Sequence, residues 1–103
     1  MKMQSLPHMA RIWVPYDERS IRDELESDLA LVAGGWTSYQ ATGGWRSDLT
    51  GAILKEIIVV YEVAYDHVAA VPWAFQKATD KLLDSQQESV LIEIDGLRRL
   101  YRK

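Results

Sequence analysis

Apolar and polar positions alternate or recur at helical spacing along most of the chain, and the changes of period mark six elements. Met9–Tyr16 alternates, with Ala10, Ile12, Val14 and Tyr16 on one side and Arg11, Trp13 and Pro15 on the other, the signature of a strand. Ser20–Ala33 has Ile21, Leu25, Leu29 and Val32 at i, i+4, i+8 and i+11, one apolar stripe on a helix. Ser20 and Asp23 have the spacing of a capping box, and Gly34-Gly35 ends the helix. Trp36–Ala41 reads as a second strand, followed by a glycine-rich loop over 42–51. Ala52–Tyr65 is the longest β-branched run. It places Ile53, Ile57, Val59, Tyr61 and Val63 on one face, and Leu54, Glu56, Ile58, Val60 and Glu62 on the other. Pro72 suits the first turn of a helix running to about Gln86, with Val71, Phe75, Ala78 and Leu82 as its stripe. Glu88–Asp95 alternates again and Gly96 ends it.

The expected order is β-α-β-β-α-β. It predicts an α+β, ferredoxin-like fold: a four-stranded antiparallel sheet with two helices on one face. The sheet's open face then carries Arg11, Trp13, Glu56, Ile58, Val60, Glu62, Leu91 and Glu93. Half of these are apolar. A face of that kind is expected to meet a second copy of the chain, through Trp13, Ile58, Val60, Glu62 and Leu91. Trp73 lies off its helix stripe beside Lys77 and is a further contact candidate.

Length and composition narrow the picture. The 103 residues suit one domain spanning 1–103, with residues 1–8 expected to be flexible. There is no cysteine, so disulfides and thiolate chemistry are excluded. No signal-peptide pattern and no apolar run of membrane-spanning length occur, so the expected setting is cytoplasmic without membrane attachment. Net charge is −3, unevenly spread. Residues 1–96 hold 15 acidic and 8 basic residues, whereas 97–103 hold four basic residues and read as a basic C-terminal tail. An acidic body argues against a nucleic-acid polymer as partner, because phosphate contacts supply most of that affinity.

The most unusual local feature is an echo. Gly34-Gly35-Trp36-Thr37-Ser38 recurs nine residues later as Gly43-Gly44-Trp45-Arg46-Ser47. Glycines let backbone N–H groups approach an anion, tryptophan and tyrosine stack on flat rings, and an arginine fork grips phosphate or carboxylate. Trp36, Thr37, Tyr39, Gly44, Trp45 and Arg46, with Glu56 on the next strand, are therefore the candidate ligand-binding residues. The plainer alternative makes the glycines turns and the tryptophans core anchors. His8 and His67 are the only histidines and have no metal-ligand spacing, so no metal is expected, and no nucleotide-cofactor fingerprint is present.

Three function classes fit these residues. The first is a non-catalytic homo-oligomer that binds a small anionic, nucleotide-derived ligand, with no cofactor. The second is a small cofactor-free enzyme using Glu56 as acid/base, assisted by His67 or Tyr39. The third is an interaction module acting through the open face or Trp73.

The stretch from Gly34 to Asp48 resembles a recurrent group of small phage and bacterial proteins. The shared pattern is Gly34, Gly35, Trp36 and Thr37, then Gly44 and Trp45, then Glu56, then Gln87, Glu88 and Val90, covering most of residues 11–95. The resemblance implies a ferredoxin-like fold and a phage or bacterial setting. By analogy of size and style it also suggests a phage anti-defence sponge for nucleotide signals.

Overall fold

A computed structural model describes residues 1–103. The elements run β1 (His8–Pro15), α1 (Arg19–Ala33), β2 (Thr37–Arg46), β3 (Ile53–Tyr65), α2 (Ala70–Asp84), β4 (Ser89–Ile94) and β5 (Leu97–Arg102). The five strands form one sheet in the order β2-β3-β1-β4-β5, antiparallel throughout. The first four strands have the expected order. The expected four-stranded sheet is corrected to five strands, because residues 97–102 fold back on β4 instead of trailing as a tail. Asp95 and Gly96, with φ of 50° and 84°, make the two-residue turn that joins them. Two positive-φ residues match the right-handed twist of a hairpin.

The core lies between the helices and one sheet face. The apolar stripes predict it well. Ile21, Leu25 and Leu29 of α1 and Val71, Phe75, Ala78 and Leu82 of α2 are all buried, against Ala10, Ile12 and Val14 of β1 and Val59, Tyr61 and Val63 of β3. Gly34 takes the left-handed C-cap position (φ 77°), and its N–H donates to the Ala30 carbonyl at 3.2 Å. The Ser20–Asp23 capping box does not form. The helix starts at Arg19, so Ser20 already lies inside the first turn.

The expected loop over 42–51 is also corrected. β2 continues through Gly43 and Gly44, which pair with Glu56 and Lys55 in an unbroken ten-residue register. Only residues 47–52 turn. Ser47 Oγ accepts the Leu49 and Thr50 N–H groups, and Gly51 takes φ 73°. β1 ends at Pro15 opposite Ile58, so the hairpin beyond that point has no third strand beside it. It projects as an arm and stretches the molecule to 54 × 26 × 22 Å. This is why Ile53 and Ile57, expected in the core, are 73% and 55% exposed: the helices do not reach them. No helix is long and apolar enough to cross a membrane.

Candidate functional site

Side-chain parity and strand register build the open face row by row. One row is polar and crosses the sheet: Thr37, Glu62, Arg11, Glu93 and Arg98. Arg11 bridges the Glu62 and Glu93 carboxylates, and Arg98 Nη1 reaches the other Glu93 oxygen at 3.1 Å. Glu62 is held below the ordinary carboxylate value, first by its hydrogen bond from Tyr39 and then by Arg11. The same bond pushes the Tyr39 phenol up. The next row is apolar, with Tyr39, Val60 and Trp13 side by side. Val60 is only 1% exposed although it faces away from the helices, so its neighbours already cover it within a single chain.

Past the end of β1, the arm and the start of β4 enclose a groove. One section has a volume of about 440 Å³ and is lined by Gly43, Gly44, Trp45, Leu54 and Glu56 from the arm and Gln86–Ser89 from the opposite wall. It continues into a section of about 590 Å³ lined by Trp45, Arg46, Asp48, Leu49, Glu88, Ser89, Leu100, Arg102 and Lys103. Trp45, Glu88 and Ser89 belong to both. Such volumes fall in the usual range for small-molecule sites. On the helix side, Glu56 also borders a recess with Tyr16, Asp17, Thr42, Lys55 and Ile57.

Charge is graded along the groove. Burial raises the Glu56 pKa, and the nearby Asp17 and Glu18 raise it further. This carboxylate sits where a cationic group would relieve it. The far end carries the groove's cations: Arg46, Arg102 and Lys103 line it beside the carboxylates of Asp48 and Glu88, with Arg102 4.0 Å from Asp48 and Lys103 Nζ donating to the Ser85 carbonyl at 2.6 Å.

The predicted ligand residues thus fall into two groups. Gly44, Trp45, Arg46 and Glu56 come together in the groove. Tyr39 and Thr37 share the open face but sit six or more residues back along β2, roughly 20 Å from Trp45 at the rise of a strand. Trp36 precedes β2 and is partly exposed. Among the candidate interface residues, Trp13, Ile58, Val60, Glu62 and Leu91 lie on the open face. Trp73 lies in the helix layer with Lys77 over its ring at 5.2 Å. His67 Nδ1 accepts the Ala69 N–H, away from Glu56. Sequence reasoning did not find Gln86–Ser89, Leu100 and Arg102 as groove walls, because only the fold brings β4 and β5 opposite the arm.

No family model and no curated protein matches the sequence. Solved structures do match. The chain shares its fold with a phage SAM lyase. The complex of a phage SAM lyase with S-methyl-5'-thioadenosine aligns with all of this chain and 93% of its own, at a TM-score of 0.70 and 16% identity. A phage SAM lyase in the apo state aligns over 100% and 95%, at 0.65 and 18%. A DUF3240-family protein from Shewanella baltica aligns over 91% and 92%, at 0.50 and 12%. At these identities the likeness is one of fold: an α+β sheet of this topology with two helices on one side.

Proposed function

We propose that this chain is a small phage-type homo-oligomer that binds an adenosyl ligand carrying both a cationic centre and a carboxylate, and cleaves it as a lyase. S-adenosylmethionine is the ligand of that class to test. The observation that carries the reading is the graded groove: a desolvated carboxylate, Glu56, at one end, Trp45 in the middle, and Arg46 with Arg102 at the other. It occurs on a chain whose whole length follows the fold of a phage protein that holds S-methyl-5'-thioadenosine. Glu56 would face the sulfonium or ammonium, Trp45 would stack on the adenine, and the arginines would take the carboxylate.

The chemistry asks little of the protein. A sulfonium sulfur can leave with the bonding pair as a neutral thioether. The amino-acid fragment then closes through its own carboxylate, or loses a neighbouring proton to Glu56. Positioning the ligand and excluding water supply most of what is required.

A second reading is sequestration without cleavage. The basic end of the groove supports it, since Arg46, Arg102 and Lys103 also suit the phosphates of a nucleotide-derived signal.

Incubation with S-adenosylmethionine, followed by chromatography, separates the readings. Release of S-methyl-5'-thioadenosine that falls at least about a hundredfold in Glu56→Gln supports the lyase. Binding with the ligand recovered intact replaces it with sequestration. Absence of binding by calorimetry sinks the groove as an adenosyl site.

A further inference from the structure

β2 is a free sheet edge without the usual protection. Thr37–Trp45 contains no charged residue and no proline, and its register with β3 runs ten residues without a bulge. The opposite edge, β5, carries Arg98, Arg99 and Arg102 and is guarded by charge. A long neutral edge presents unpaired N–H and C=O groups to another strand.

Two glycines on and beside this edge have no explanation inside the chain. Gly35 has no atom within 4 Å of where a Cβ would sit. The nearest atom to a Cβ on Gly44 is the Leu54 carbonyl oxygen at 3.7 Å, an ordinary contact. Neither residue has positive φ; only Gly34, Gly51 and Gly96 do. Glycine within a strand often marks the close approach of another chain.

We propose that β2 pairs antiparallel with β2 of a second copy, about a two-fold axis through Gln40. This goes beyond the ligand reading and does not depend on it. In that register Ser38 lies opposite Thr42 of the partner subunit, and Tyr39 opposite Ala41 of the partner subunit. Trp36 lies opposite Gly44 of the partner subunit, and Trp45 opposite Gly35 of the partner subunit. Each half-exposed indole thus lies over a glycine, the arrangement in which an aromatic ring shields the glycine of a neighbouring strand. The nine-residue echo of Gly-Gly-Trp is what makes the edge self-complementary. Among registers that keep both open faces on the same side, only this one sets both tryptophans against glycines. It joins two five-stranded sheets into one of ten strands, with all four helices on one side. No charged residue meets a like charge along the pairing.

Charge placed on the axis tests it. The wild-type protein at tens of micromolar should have twice the 11.8 kDa chain mass in native mass spectrometry and sedimentation. Gln40→Lys and Gln40→Glu should each weaken association by about tenfold or more, because like charges meet at the axis, and an equal mixture of the two should restore the dimer. Gly44→Val should fold normally, as judged by circular dichroism, yet lose the dimer. Gln40→Cys, the only cysteine in the protein, should cross-link to itself under mild oxidation. A monomeric wild type, a three-copy ring, or a dimer of unchanged affinity in Gln40→Lys would each overturn the proposal.

Discussion

Tyr61 joins the core to a polar network. Its ring is fully buried in β3, and its hydroxyl donates to Glu26 Oε2 on α1 at 2.6 Å. Burial, and then the Glu26 hydrogen bond, push the phenol up to about 12 from 10.0. Because the folded state holds this proton more tightly than the unfolded one, the contribution is complete below pH 10. It is lost as the pH rises toward about 12. Tyr61 should therefore be the last of the five tyrosines to ionise in an ultraviolet titration, behind Tyr39 and Tyr65, which are also raised, and Tyr61→Phe should remove that last phase. The same substitution should cost about 1–2 kcal/mol in denaturant unfolding, since a hydrogen bond to a carboxylate is lost while the packing is kept. The apolar character of Tyr61 was legible in its strand face. Its hydroxyl partner was not, because Glu26 lies 35 positions earlier in the chain and meets it only when α1 packs on β3.

At the scale of elements, β5 is the instructive case. Asp95-Gly96 after an alternating run is a turn signal, but Leu97–Arg102 does not alternate and so does not announce a second strand. The cluster of four basic residues after it read more simply as a solvated tail. In the sheet, Arg98 finds Glu93, which is buried beside Arg11, so the charge is used across the ladder. Gly96 at φ 84° has no clash around a Cβ, so its glycine requirement is purely conformational. Gly96→Ala should cost about 1–2 kcal/mol and lower the thermal midpoint without changing the core. A midpoint equal to wild type would show that the turn contributes nothing. The arm differs in kind. Gly43 and Gly44 look like a loop to any local reading, and only pairing with Lys55 and Glu56 on β3 keeps them extended.

For the molecule as a whole, the groove exists because β1 stops at Pro15 while its neighbours continue. Its charge gradient follows from which strand ends meet there. If Glu56 faces a cationic ligand, binding should weaken on acidification in a window above the ordinary carboxylate value of 4.5, because its pKa is raised. The sign follows directly: protonation removes the charge that attracts the ligand, and it occurs earlier than for a free glutamate. Calorimetry across pH should show that loss in the wild type and a flat profile in Glu56→Gln. A flat wild-type profile would remove Glu56 from the site.

Local pattern alone determined the two helices, the β-α-β-β-α-β order of the first four strands, and nearly every core residue on the helices, β1 and the distal half of β3. Helical and strand periodicities are local properties, and the side facing the core must be apolar wherever it lies. Tertiary structure decided what depends on distant partners. It turned the basic tail into a fifth strand and the glycine loop into an arm. It separated Tyr39 from Trp45, and it set β4 and β5 across from Glu56. Those outcomes rest on strand lengths and hydrogen bonds between residues far apart in the chain, for which no short stretch of sequence holds both halves.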